Sequence, residues 1–207
     1  MLDQPFVKLI DALAARTPTP GGGAAAAMAG CMGTALFLMV VRFSRGKKAN
    51  VDREGELVRA ESQLDDCRQR LLPMAELDCR SFDAVSAAYG MSKDTDGQKV
   101  ARSRAIQEAL VGAMVVPEQT LGMVREVFTV MQGVIGCVGK TIASDLAAGA
   151  ALLLAAGEGA FLNVQINAGS LEDKDLAGRT MERAFAVRDE IRRQQAAFGK
   201  RVDEMLA

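Results

Sequence analysis

The sequence predicts an all-α protein, an antiparallel helical bundle of about six helices. Three observations carry that expectation. No segment alternates polar and apolar residues as a half-buried strand would. Hydrophobic residues make up 49% of the chain but aromatics only 4%, and Ala, Leu, Met and Val dominate, the vocabulary of packed helices. Helix start and stop signals also punctuate the chain at helix-length intervals.

Taken in order, an amphipathic opening helix is expected over residues 3–15 and an Ala-rich helix over 23–43, the latter ended by Ser44-Arg45-Gly46-Lys47-Lys48. A long third helix spans 52–90, with Pro73 as a possible kink and Tyr89-Gly90 as its stop. Asp94-Thr95-Asp96-Gly97 caps a fourth, bent at Pro117 and ending near Gly133, Gly136 and Gly139. A fifth begins at about Thr141. Ser170-Leu171-Glu172-Asp173 announces a sixth in the manner of a capping box. At 207 residues, with no internal repeat or linker, the chain reads as one helical domain over 1–207.

Composition removes several function classes. A formal charge of -1 leaves no global basic field for nucleic acid, so the expected partner is a small molecule. There is no histidine, which leaves carboxylates, Lys, Ser/Thr and Tyr for any proton transfer. Cys31, Cys67, Cys79 and Cys137 form no CxxC pair; they read as packing thiols in a reducing, cytoplasmic setting, and no metal site is expected. The start is acidic and polar, unlike a signal peptide.

Gly21 to Val41 carries no charge, which raises the question of a membrane span. High Ala/Gly content and the apparent lack of a second such stretch favour a buried helix instead. Ala26, Gly30 and Thr34 form a small-xxx-small ridge that lets another helix approach closely, within the chain or across a dimer interface. The loop Thr17-Pro18-Thr19-Pro20-Gly21-Gly22-Gly23 delivers the chain into this helix with no side chains at its start. It reads either as a linker or as a bare backbone cup for a flat or anionic ligand.

Two helices carry an anomaly each. Along the third, Leu71, Ala75, Asp78, Phe82, Val85 and Tyr89 form an apolar seam interrupted by one carboxylate; along the fifth, Val138, Ile142, Asp145, Gly149, Leu152 and Ala156 do the same. A buried carboxylate must be paired with an arginine, protonated or used. Gly136-Cys137-Val138-Gly139-Lys140-Thr141 imitates a phosphate-binding loop, but Val134 stands where its first glycine belongs and no strand precedes it. Asn163 and Asn167 share a helix face. If the helix is unbroken, Asn163 lies roughly 27 Å from Asp145 by helical rise. Then either Gly157 or Gly159 breaks it, or a second copy brings the two together. Arg42, Arg45, Lys47 and Lys48 form a basic cluster, read as solvated helix-end charge or as a carboxylate-binding patch.

The ordered set Pro18-Thr19-Pro20-Gly21-Gly22-Gly23-Ala24-Ala25-Ala26, Gly46-Lys47-Lys48, Asp78 with Phe82, Val116-Pro117, Ser144-Asp145, and Asn163-Val164 with Asn167 resembles the cyclodeaminase/cyclohydrolase family of folate enzymes, nearly over the full length. Within it, Ala88-Tyr89-Gly90-Met91-Ser92-Lys93-Asp94-Thr95-Asp96 is most similar to stand-alone methenyltetrahydrofolate cyclohydrolases. The resemblance implies a bundle that forms a homodimer and binds reduced folate as substrate, with no further cofactor. One departure is Gly139-Lys140, where the family usually has Gly-Asn; the lysine replaces a contact, moves a proton or alters the chemistry.

The implied reaction is hydrolysis of 5,10-methenyltetrahydrofolate to 10-formyltetrahydrofolate. In it Asp145 is the acid/base residue, Asp78 a second carboxylate and Lys140 a third member of the catalytic set. Pro20, Gly21, Gly22 and Gly23 lie against the flat rings, Lys47 and Lys48 hold the glutamate tail, and Ser144, Asn163 and Asn167 complete the binding set. Cyclodeaminase action on 5-formiminotetrahydrofolate, and folate binding without turnover, are the alternatives.

Overall fold

Small side chains and well-placed caps set the architecture of the computed structural model, which describes residues 5–207. Seven α-helices follow in order: α1 (Phe6–Ala14), α2 (Gly22–Ser44), α3 (Glu54–Leu71), α4 (Met74–Tyr89), α5 (Asp96–Val134), α6 (Ala143–Gly169) and α7 (Lys174–Leu206). Short 3-10 turns at Lys48–Arg53, Ile135–Cys137 and Lys140–Ile142 join them, and no strand occurs among the described residues. The expected opening helix included residues 3 and 4, which lie outside the described residues.

Pro73 does more than kink the expected third helix. It lacks the N–H that would continue the ladder, so α3 ends at Leu71 and α4 restarts at Met74. By contrast α5 runs unbroken through Pro117, which is buried in its middle. Its start is a full capping box: the Thr95 hydroxyl accepts from the Gln98 N–H, while the Gln98 side chain accepts from the Thr95 N–H. The start of α7 rests on Asp173, whose carboxylate accepts from the Leu176 N–H.

The core gathers around α2 and α6, which pack on each other and on α5. Their contact is a backbone approach. A Cβ at Gly33 would come 2.8 Å from the Gly149 carbonyl oxygen, one at Gly149 would come 2.7 Å from the Phe37 ring, and one at Gly159 would meet the Ala26 Cβ at 2.9 Å. Few aromatics are present, yet three of them form one buried cluster. Phe37, Phe128 and Phe198 lock α2, α5 and α7, with ring centroids 5.4 to 5.9 Å apart.

A second apolar cluster of Ala88, Ile106, Leu110, Met114, Ala168 and Leu171 ties the end of α4 to α5 and α6. It fixes one end of the cavity described below.

The stretch expected to be the single span-length apolar run has a counterpart. Both Gly22–Ser44 and Lys140–Gly169 are long and apolar enough to cross a membrane by length and composition. Each buries one side in the bundle, but each also keeps an apolar free face. On α2 that face carries Met32, Ala35, Met39 and Phe43; on α6 it carries Ala148, Ala151, Leu152, Ala155, Leu162 and Ile166.

Gly149→Ala is expected to cost at least about 2 kcal/mol, because the added methyl drives into a fully buried phenylalanine ring. Gly178→Ala, on an open face of α7, should instead gain about 0.5 to 1 kcal/mol from helix propensity. Urea denaturation of the two variants beside the parent checks both signs.

Candidate functional site

Asp78 sits on α4 where that helix passes the first turn of α2. Gly23 has no side chain because the space is taken: a Cβ there would collide with the Asp78 carboxylate. The same closeness lets the Ala24 backbone N–H donate to Asp78. Among the described residues no cation pairs with it, so the arginine salt bridge the seam allowed is not formed. Burial lifts the Asp78 carboxyl above its ordinary value, and the Ala24 N–H only partly opposes the lift.

Around this carboxylate lies a cavity of about 360 Å³, lined by Gly21, Gly22 and Gly23 on one side, Phe82, Val85 and Tyr89 on another, and Asn163 and Asn167 on a third. The seam read from the sequence as core therefore leaves the core at Asp78. Phe82 and Tyr89, at i+4 and i+11, are 41% and 49% exposed and supply flat walls. The same helical register brings Ser81 to the lining, a residue the sequence reading did not single out.

The two asparagines are oriented by their own helix. Asn163 Nδ2 donates to the Gly159 carbonyl at 2.8 Å and Asn167 Nδ2 to the Asn163 carbonyl at 2.9 Å. Their amide oxygens remain as acceptors. With Asp78 they give the cavity a surplus of acceptors, suited to a cationic ligand rich in N–H groups. Pro20 stands behind the lining, where Pro18, Thr19 and Gly21 make the contact surface.

The remaining candidate residues gather elsewhere. Asn50 is buried and its side-chain amide donates to the Ser44 and Cys137 carbonyls at 2.8 and 2.9 Å, stapling the loop after α2 to the turn before α6. That staple sets Lys47 beside Gly139, whose Cβ would lie 3.7 Å from the lysine Nζ. Lys140 and Ser144 follow, both exposed, and then the half-buried Asp145. Only the two lysines of the expected basic cluster are unspent. Arg42 is bound to Glu61 at 2.8 Å, and Arg45 to Glu54 at 2.9 Å and Glu61 at 2.5 Å. These arginines hold both carboxyls below the usual range, Glu61 chiefly through Arg42, and Glu54 through the Gly46 N–H first and Arg45 second.

The structure thus brings Gly21, Gly22, Gly23, Asp78, Asn163 and Asn167 together and keeps Lys47, Lys48, Lys140, Ser144 and Asp145 apart from them. Neither Gly157 nor Gly159 breaks α6, so the two groups occupy its opposite ends, roughly 27 Å apart by rise. Gly157 is small because Ile191 packs on it, and Gly159 because Ala26 does. A larger cavity, about 1040 Å³ between α3 and α5, contains neither group; its arginines are committed to acidic neighbours, Arg70 to Asp66 and Glu126, Arg125 to Glu190.

Comparison with known proteins points the same way as the cavity chemistry. A methenyltetrahydrofolate cyclohydrolase of Methylorubrum extorquens is 42% identical over 170 residues, 81% of each chain. The formimidoyltransferase-cyclodeaminase of Rattus norvegicus is 27% identical over 95% of this chain, which spans only 36% of that relative's length. The solved structure of a formiminotetrahydrofolate cyclodeaminase from Thermotoga maritima superposes with a TM-score of 0.80 at 28% identity, covering 99% of this chain and 96% of its own. The family model described as formiminotransferase-cyclodeaminase matches residues 5–186, and the chain belongs to that family.

Proposed function

We propose that the protein hydrolyses 5,10-methenyltetrahydrofolate to 10-formyltetrahydrofolate, reversibly, at sites assembled between two copies of the chain. The acceptor-rich cavity around Asp78 carries the substrate assignment, and the activity named for the Methylorubrum relative supports the choice of reaction. The methenyl bridge is an amidinium cation between N5 and N10, and the pterin bears several N–H donors. A desolvated carboxylate beside two amide oxygens complements both features.

The second copy follows from the free faces of α2 and α6. Asp145 and Asn163 lie on the same side of α6, at the two ends of an uncharged run through Ala148, Leu152 and Ala155. An apolar stripe of that length needs covering. A second α6 laid antiparallel, crossing between Leu152 and Ala155, covers it and sets Asp145 of each copy against Asp78 and Asn163 of the other. Lipid would cover the stripe as well, but would leave both polar ends without a function. With four free thiols, the dimer is assigned to the cytoplasm.

The reaction then runs as follows. Asp145 of one copy orients water and takes a proton as its oxygen bonds to the bridging carbon. Asp78 of the other holds the cation in place. The hydroxyl proton of the adduct passes to N5 as the C–N5 bond breaks, leaving the formyl group on N10, so that one proton is released overall. Lys140 and Ser144 lie at the same seam and assist proton transit, while the glycine loop lies against the rings. The substrate itself is the only small molecule this chemistry requires.

Family membership and the Thermotoga structure also fit cyclodeaminase action on 5-formiminotetrahydrofolate. Following methenyl absorbance and ammonia with each folate distinguishes the two. Hydrolysis without ammonia release supports the present reading, and ammonia release overturns it.

Asp145→Asn should lower the background-corrected hydrolysis rate at least about 100-fold, the scale of a lost acid/base residue. Rates close to the parent enzyme's would remove Asp145 from the mechanism. Mixing Asp78→Asn and Asp145→Asn chains after reversible dissociation should restore activity to about one quarter of the parent's, since half the dimers are mixed and each has one intact site. Sites built within single chains would give no recovery.

Because burial raises the Asp78 carboxyl, kcat/KM for cyclisation, the direction acid favours, should fall below a pH above the ordinary aspartate value of 3.8. The same raised proton affinity makes the Asp78 contribution to stability greatest at low pH, below the unfolded value, and removes it as pH rises through the folded one. Asp78→Asn should flatten both profiles, read by initial rates and by melting between about pH 3.5 and 7.

A further inference from the structure

The cavity around Asp78 does not end at Tyr89. A second cavity of about 410 Å³ begins there, shares Tyr89 and Ser170 as its wall, and is otherwise lined by Lys93, Lys99, Arg102, Ser103, Ile106, Gln107 and Glu172. The two spaces follow one another along the groove between α4, α5 and the end of α6, and their character changes at the shared wall. The first is rich in acceptors and flat apolar surface; the second is rich in cations.

Those cations are available. Among the described residues Lys93 forms no ion pair. Arg102 spends its guanidinium on the Tyr89 carbonyl, a neutral group, at 3.0 and 3.3 Å, with its charge 5.7 Å from the Tyr89 ring centre. Lys99 is bound only to Asp96 at 2.8 Å, a pair exposed on both sides and easily exchanged for another carboxylate. The one acid in the lining, Glu172, is turned into the wall by the Ser103 hydroxyl at 2.9 Å. Gln107 braces the same wall, accepting from the Glu172 N–H at 2.8 Å.

We propose that this second cavity binds the glutamate tail of the folate, its γ-linked carboxylates lying among Lys93, Lys99 and Arg102 while Tyr89 carries the aminobenzoyl group across the threshold. The proposal rests on the folate reading of the first cavity. It reassigns the role expected of Lys47 and Lys48, which stand at the opposite end of α6. A folate with its reacting bridge at Asp78 points its other end along the groove toward Tyr89, and every added glutamate extends it further into the basic space. The seam end, where Lys47, Lys140 and Asp145 meet the bridge, is left to the chemistry.

The test compares 5,10-methenyltetrahydrofolate bearing one glutamate with the same compound bearing three. The parent protein should show a KM for the triglutamate at least fivefold lower, a preference that shrinks as salt rises from 50 to 500 mM because exposed charge pairs are screened. In the double variant Lys93→Ser/Lys99→Ser, both surface positions, the ratio of the two KM values should fall toward one. The charge-reversed Lys93→Glu should invert it. In Lys47→Ser/Lys48→Ser the ratio should persist.

A parent enzyme that hydrolyses both compounds without distinguishing them overturns the tail assignment and leaves the proposed activity standing. A preference lost in the Lys47/Lys48 variant and kept in the Lys93/Lys99 variant does the same. A protein that turns over neither compound overturns both.

Discussion

The backbone contact between α2 and α6 is the constraint on which the rest of the molecule depends. Helices as rich in Ala and Gly as these bury little side-chain volume, so they reach close packing only by bringing their backbones together. Gly33, Gly149 and Gly159 make that approach possible, each at a cost of about 1 kcal/mol in helix propensity. The contact holds α2 and α6 antiparallel, places Gly22 next to Asn163 and sets the glycine start of α2 under Asp78. It also leaves an apolar face of α6 uncovered. The cavity and the stripe have a common origin in this pair.

That surface has an acceptor-rich end and a cationic end, and the asymmetry gives it meaning. An apolar stripe alone asks only to be covered. A stripe centred between Leu152 and Ala155, with Asp145 at one end and Asn163 at the other, is self-complementary under a twofold axis, because each end then meets its opposite. Ala155 near the centre offers no bulk, so in the proposed dimer two copies of α6 could approach as closely as α2 and α6 do within one chain. The same geometry explains why the unpaired cations at the seam are lysines. Arg42 and Arg45 are already held in fork contacts with Glu54 and Glu61, while the single-point ammonium of Lys47 stays free beside Gly139.

Much of this was legible in the residues before any coordinates. Caps at Thr95 and Asp173, the stop at Gly90 and the interruption at Pro73 are local chemistry, and local chemistry is written in the chain. The carboxylate in each apolar seam was visible for the same reason. What could not be read was which neighbour occupies the space around it. Gly157 and Gly159 have the composition of a helix break, but Ile191 and Ala26, distant in sequence, show them to be contact positions. Likewise the Arg42–Arg45 cluster looks basic until α3 supplies the glutamates. The seam through Phe82 and Tyr89 has the period of a core helix, and only the missing neighbour over α4 turns it into a cavity wall.

A chain without histidine narrows the chemistry to reactions that do not demand a strong neutral base, and the amidinium carbon answers to that description. Its positive charge makes water addition possible with a carboxylate as proton acceptor. Burial at Asp78, only partly opposed by the Ala24 N–H, leaves a carboxyl that no cation pairs with among the described residues, so its charge is open to a cationic ligand. A histidine at the same point would become an imidazolium next to a cationic substrate and repel it. Under the proposed reading, the lack of histidine and a cationic substrate in this cavity are two sides of one electrostatic requirement.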